Sequence, residues 1–270
     1  MKQLILAFQF LTILPLRLSG NISEEEIGHS AVFFPAVGAF QGLLAVATAY
    51  ISEKFLGGEV ASAVVVMVLS LSNGGFHLDG LADTFDALAI KSGGDRESDI
   101  KKRLSAMKDS ATGPIGTAAI VFVLLLKFLL LKGLFLGVPR AAFYSFLFLM
   151  PVYSRWAMVP PMYYGRSARE EGLGKIFTDN AVPAVLMFSS LLAFVMGVLV
   201  YLGWIRRAFG MSGLFILLLF FALLYLFGVA AERYCRWRFG GLTGDIFGAM
   251  GELSEIIFLT GVTVWLLRFT

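Results

Sequence analysis

Asp79, Asp83 and Asp86 stand at i, i+4 and i+7 in the stretch Phe76-His77-Leu78-Asp79-Gly80-Leu81-Ala82-Asp83-Thr84-Phe85-Asp86. On a helix they share one face, and like charges at that spacing repel. A bound divalent cation relieves the repulsion, and Mg²⁺ is held by a few carboxylates together with substrate phosphates. The chemistry such a set serves is phosphoryl transfer, in which catalysis is mostly positioning and charge neutralisation. Lys108-Asp109 adds a fourth carboxylate, so that one or two Mg²⁺ held by Asp79, Asp83, Asp86 and Asp109 would bridge a pyrophosphate. There they would polarise the attacked phosphorus and stabilise the leaving phosphate. Lys108 and Arg103 are candidates to hold the outer oxygens.

Two further acids lie in the last apolar segment. Asp245 and Glu252 are seven apart and therefore on one helical face, with Glu255 one turn beyond. Acids inside a span are costly and point into the bundle or a wet cavity. Thr243 is placed to N-cap this helix, with Asp245 in its first turn, where an anion suits the dipole. His77 falls opposite Asp79 on a helix, placed either to touch substrate or to donate to a main-chain carbonyl. A zinc centre is not expected: the chain has two His, one Cys and no ligand pair at finger spacing.

The elements that must position these residues are membrane helices. The chain of 270 residues is 58% hydrophobic and only 15% charged, with a mean hydropathy of +0.80. Apolar segments of spanning length recur at roughly 31–51, 59–76, 113–138, 141–163, 183–205, 209–231 and 247–267, about seven in all. The expected fold is all-α, a polytopic integral membrane bundle in one domain covering residues 1–270. Residues 1–18 resemble a signal peptide but lack a small-x-small cleavage site, which favours a retained short interfacial or re-entrant helix. Three polar stretches, 77–112, 164–182 and 232–246, fall on the side that carries the acids. Fourteen of the Lys and Arg residues lie on that side and six on the other. That asymmetry places the acids at the cytoplasmic face and explains the basic residues, Arg166, Arg169 and Lys175 among them, without nucleic acid. The single cysteine, Cys235, excludes an intramolecular disulfide.

Several segments resemble the cobalamin synthase family, adenosylcobinamide-GDP ribazoletransferase. They are Phe10-Leu11-Thr12-Ile13-Leu14-Pro15, Phe33-Phe34-Pro35-Ala36-Val37-Gly38, the acidic stretch from Gly75 to Leu88, Met107-Lys108-Asp109-Ser110 with Gly113 and Gly116, and Thr243-Gly244-Asp245 followed by Gly248-Ala249 and Glu252. The His-x-Asp-Gly-Leu-Ala-Asp-x-x-Asp-Ala stretch is the most specific, and the chain departs from the family pattern at Ala111-Thr112-Gly113-Pro114. The resemblance implies a Mg²⁺-dependent transferase in the prokaryotic cytoplasmic membrane, with its active site facing the cytoplasm. It would join adenosylcobinamide-GDP to α-ribazole or its 5′-phosphate and release GMP, the last step of nucleotide loop assembly in cobalamin biosynthesis. By matching position, Asp79, Asp83 and Asp86 are the implied metal ligands, and Asp109 a ligand or the base. Asp245 and Glu252 are implied second acids for metal or substrate. The partners are these two substrates and the lipid bilayer; a homo-oligomer stays open.

Two other classes share some of these features. A CDP-alcohol phosphatidyltransferase sets its acids around an Asp-Gly-x-x-Ala core with Arg after the Ala, whereas this chain reads Asp79-Gly80-Leu81-Ala82 followed by Asp83, and such enzymes continue with an acid spacing absent here. A cation transporter would use acids in broken spans, yet the densest acids here sit at a helix end beside a long loop, with no inverted repeat evident.

Overall fold

The computed structural model describes residues 1–269. Twelve α-helices follow in order: α1 (Lys2–Leu11), α2 (Glu24–His29), α3 (Phe34–Ser72), α4 (Phe76–Ala89), α5 (Arg96–Ala106) and α6 (Pro114–Gly137), then α7 (Arg140–Trp156), α8 (Val159–Tyr164), α9 (Leu173–Asp179), α10 (Pro183–Val200), α11 (Arg206–Phe239) and α12 (Gly244–Phe269). Among the described residues the only β interaction is an isolated bridge between Ser167 and Leu242.

By length and composition, four helical stretches could cross a membrane: Glu24–Ser72, Pro114–Gly137, Pro183–Phe239 and Gly244–Arg268. Two of them carry more than one expected span. α3 is two arms meeting at Gly57, where φ 74° and ψ 165° interrupt the helix, a conformation open to glycine alone. α10 runs through a π turn, Tyr201–Ile205, into α11, which breaks again at Gly210 with φ 54°. The breaks stand where the sequence reading expects the first and second spans, and the fifth and sixth, to be joined. α1 has 10 residues, roughly 15 Å at 1.5 Å per residue, too short to span.

The chain is integrated in a membrane, and its packing follows that solvent. Large apolar side chains such as Phe55, Phe122 and Phe215 face outward, at 80%, 63% and 67% exposure, as lipid-facing residues do. The centre is α7, whose Phe143, Phe146, Leu149, Met150, Val152 and Trp156 are all buried. Apolar burial drives little association inside lipid, so close packing has to hold such helices together. α3 therefore presents Gly38 and Gly42 to the backbone of α7 at Pro151 and Phe148, leaving no room for a Cβ. Trp156 stacks on Phe221 of α11 at 4.0 Å between centroids and donates from Nε1 to Ser190 of α10.

The helix that carries the acids is set by a turn. Gly74 and Gly75 adopt φ of 69° and 78°, and the Asn73 side chain accepts from the Gly75 N–H at 3.0 Å, so α3 ends and α4 starts at a sharp reversal. α4 then packs against α6 and α12. Its approach to α12 needs small residues on both helices. A Cβ on Gly80 would stand 2.5 Å from the Asp245 carbonyl oxygen, and one on Gly248 3.1 Å from the His77 Cα.

Candidate functional site

The α4 face carries the acids in unequal settings. Asp79 is exposed, while Asp83 and Asp86 are half-buried. Burial first, and then the charges of Asp79, Asp245 and Asp86, push the Asp83 carboxyl up to about 6, with Arg169 acting in the opposite sense. Both oxygens of Asp86 accept main-chain hydrogen bonds, Oδ2 from Gly113 N–H at 2.7 Å and Oδ1 from Gly116 N–H at 2.8 Å. These amides are at the N-terminus of α6, where unpaired donors and the helix dipole attract an anion. Pro114 occupies the first turn, where a missing N–H costs nothing, and a Cβ on Gly113 or Gly116 would strike the Asp86 carboxylate. The departure from the family pattern at residues 111–114 is thus where α6 receives its cap. Asp86 pins α4 to α6 as well as belonging to the acidic face.

Asp245 is brought to the same rim by α12. Thr243 caps the helix as expected, accepting from the Ile246 N–H at 3.3 Å and donating to Asp245 Oδ2 at 3.3 Å. Arg169 Nη2 lies 3.2 Å from the same oxygen. The pair is one of charge, because Nη2 and Nε have no hydrogen-bond partner although both atoms are buried. The loop bearing Arg169 is fixed to the start of α12. Ala168 N–H donates to Leu242 O at 2.9 Å, Leu242 N–H to Arg166 O at 2.8 Å, and Ser167 Oγ bonds both the N–H and the carbonyl of Arg169. From sequence alone, Arg169 is one of several basic residues that the charge bias on that side already explains. The only available signal was its position in a polar stretch leading toward Asp245.

Glu252 is elsewhere. Lys127 Nζ of α6 lies 2.6 Å from Glu252 Oε2 and 2.6 Å from Glu255 Oε2. Glu255 Oε1 also meets Arg155 Nη1 of α7 at 3.2 Å and accepts from Ser154 Oγ at 3.3 Å. Arg155 in turn donates from Nε to Gln41 of α3 at 2.7 Å. Two cations and two anions balance inside the bundle, and all four are at most 3% exposed. The network ties α3, α6, α7 and α12 together.

The remaining candidates are spread around the acids. Arg103 is buried and donates to the carbonyls of Arg238 at 3.2 Å and Ile90 at 3.5 Å, bracing the loop that follows α4. Asp99 beside it is held below the usual carboxylate range, mainly by bonds from the Ser92 hydroxyl and the Gly93 N–H. Lys108 and Asp109 are exposed, with Asp109 Oδ1 accepting from Ala111 N–H at 3.1 Å. His77 is buried and its Nδ1 has no hydrogen-bond partner. Burial, followed by the charges of Arg155 and Lys127, holds it well below the usual histidine range, so the ring is neutral near pH 7.

Among the described residues no three His, Cys, Asp or Glu side chains stand close enough to enclose a metal ion by themselves. The donor set at the rim is nonetheless all oxygen, suited to a hard cation. Mg²⁺ is ordinarily held by one or two carboxylates with water and substrate phosphate completing its shell. The arrangement offers that, together with an arginine placed for a phosphate oxygen.

Apolar helices of spanning length, with acids and an arginine gathered at one rim, define a polytopic membrane protein whose site suits phosphate-bearing substrates. The cobalamin-5-phosphate synthase family model matches residues 3–263. An adenosylcobinamide-GDP ribazoletransferase of Thermodesulfovibrio yellowstonii is 36% identical over 98% of both chains. Relatives of the same name from Geotalea daltonii and Clostridioides difficile are 34% and 31% identical, over 94% and 100% of this chain and 93% and 99% of theirs. No solved structure matches. The chain belongs to the cobalamin-5-phosphate synthase family, and with it to the transferases of cobalamin biosynthesis, as its motifs suggested.

Proposed function

We propose that the protein transfers the cobinamide phosphate of adenosylcobinamide-GDP to α-ribazole or its 5′-phosphate, releasing GMP and closing the nucleotide loop. The observation that carries this reading is the meeting of Asp79, Asp83, Asp245 and Arg169 at one rim between α4 and α12, in a family whose relatives bear that name. The 5′-hydroxyl oxygen attacks the phosphorus attached to cobinamide. A new P–O bond forms as the bond to the bridging oxygen breaks, and GMP leaves with that oxygen.

Asp79 and Asp83 would hold Mg²⁺ together with water and the pyrophosphate oxygens, with Asp245 and Asp86 adding their charge from the start of α12 and the α6 cap. When bound, Mg²⁺ supplies charge neutralisation at the reacting and leaving phosphates. Arg169 binds a phosphate oxygen, its guanidinium leaving Asp245 for the substrate. Asp109, four residues before the Gly113 amide that Asp86 holds, takes the hydroxyl proton, and Lys108 beside it binds an outer phosphate oxygen. The buried salt-bridged Glu252 keeps α12 in place, so its contribution is to Asp245 and not to the substrate directly. The site faces the cytoplasm of a prokaryotic cytoplasmic membrane, as the excess of Lys and Arg on the acid side supports.

The test is product analysis by mass spectrometry on purified protein with Mg²⁺, adenosylcobinamide-GDP and α-ribazole, with an EDTA control. Metal-dependent appearance of GMP and adenosylcobalamin is expected. Folded protein that yields neither would refute the reading.

A further inference from the structure

Beside the acid rim lies a cavity of about 440 Å³, within the ~300–1,000 Å³ of ordinary small-molecule sites. Its walls include three aromatic rings from three helices, Phe10 of α1, Phe76 of α4 and Phe247 of α12. Phe10 is itself held by stacking on Phe34 at 5.6 Å, so that wall is preset. Three polar side chains interrupt the apolar lining: Gln9, His77 and Asp245. His77 is 6% exposed; its Nδ1, without a hydrogen-bond partner, is closed off from the cavity and lies beside Gly251. Asp245 belongs both to this cavity and to the acid rim, so an occupant reaches from one into the other.

We infer that this cavity seats the planar aromatic base of the acceptor nucleoside, with its ribose directed past Asp245 to the acids; the assignment rests on the transfer reaction proposed above. Flat rings pack well among aromatic walls, and a benzimidazole exposes a single imine nitrogen, which Gln9 can meet with the Nε2 hydrogen that it does not give to the Leu16 carbonyl. Guanine carries an amino group, a carbonyl and several ring nitrogens, which walls of this kind would leave unpaired at a cost. The corrinoid ring is too large for the space. A lipid chain would have no use for Gln9, His77 and Asp245.

Leu6, 7% exposed on α1 and part of the same lining, offers the test. Leu6→Trp fills the cavity without touching the acids. In steady-state assays on the full chain, the KM for α-ribazole should rise about tenfold while that for adenosylcobinamide-GDP stays within about twofold. Calorimetric titration of the resting protein with α-ribazole alone should show the same roughly tenfold loss of affinity. Equal α-ribazole affinity in both proteins, no binding to the wild type, or a shift confined to the adenosylcobinamide-GDP KM would overturn the assignment. Wild-type protein that binds α-ribazole in a Leu6→Trp-sensitive way yet releases no GMP would sink the transfer reaction and leave the cavity assignment standing. If Leu6→Trp fails to fold, Gln9→Leu removes a polar partner at nearly constant volume. It should weaken α-ribazole binding several-fold, and unchanged affinity would count against the proposal.

Discussion

Replacing Lys127 by Met would leave the interior of the bundle with one charge too many. In the wild type two cations, Lys127 and Arg155, face two anions, Glu252 and Glu255. Glu255 retains Arg155 and Ser154 in the variant, so the loss falls mainly on Glu252, which is 2% exposed and loses its 2.6 Å partner. Breaking a buried pair by removing one member costs about 3–5 kcal/mol, because the remaining charge is uncompensated. For a chain of this size each kcal/mol corresponds to about 2–4 °C of melting temperature, so a fall of roughly 10 °C is expected. Adding Glu252→Gln restores neutrality and should recover most of that loss, with a coupling energy near its upper range of about 3 kcal/mol. The assay is thermal unfolding in detergent followed by tryptophan fluorescence, at one scan rate for all variants because such unfolding is often irreversible. A single variant that melts within about 2 °C of wild type, or a double variant no more stable than the single, would show that the network does not carry this electrostatic load.

Three further outcomes are expected. Asp83→Asn should lower turnover by about 100-fold or more with an unchanged melting curve, and retention of most activity would remove Asp83 from the site. Asp86→Ala breaks two charge-assisted bonds to the start of α6, each worth about 1.5–3 kcal/mol, so it should lower thermal stability as well as rate. A loss of activity with full stability would mean that its anchoring role is dispensable. Arg169→Ala should raise the KM for adenosylcobinamide-GDP about tenfold, the effect of losing one charged hydrogen bond to phosphate. Arg169→Lys should restore part of it, and equal KM values for all three proteins would exclude phosphate contact.

Much of the architecture was legible before folding was considered. A chain this apolar has to place its helices in lipid. The i, i+4, i+7 acids share a face because helical geometry permits nothing else. Local rules also placed a cap: Thr243 accepts from the Ile246 N–H at the start of α12. The joins between spans were legible too: Gly57 breaks α3 between the expected spans 31–51 and 59–76, and Gly210 breaks α11 at the start of the expected span 209–231.

The sequence by itself determined the class of fold, the family and the acidic face of α4. Tertiary structure decided what each acid does, because a carboxylate's partner comes from another helix and no local pattern names it. Asp245 and Glu252 share a face of α12, but seven residues at 1.5 Å separate them by roughly 10 Å along the axis. That distance puts Asp245 at the rim with Arg169, and Glu252 in the interior, where the buried Lys127 balances its charge. Asp86 likewise reads as one of three equal acids until α6 folds against it and presents two amides to its carboxylate.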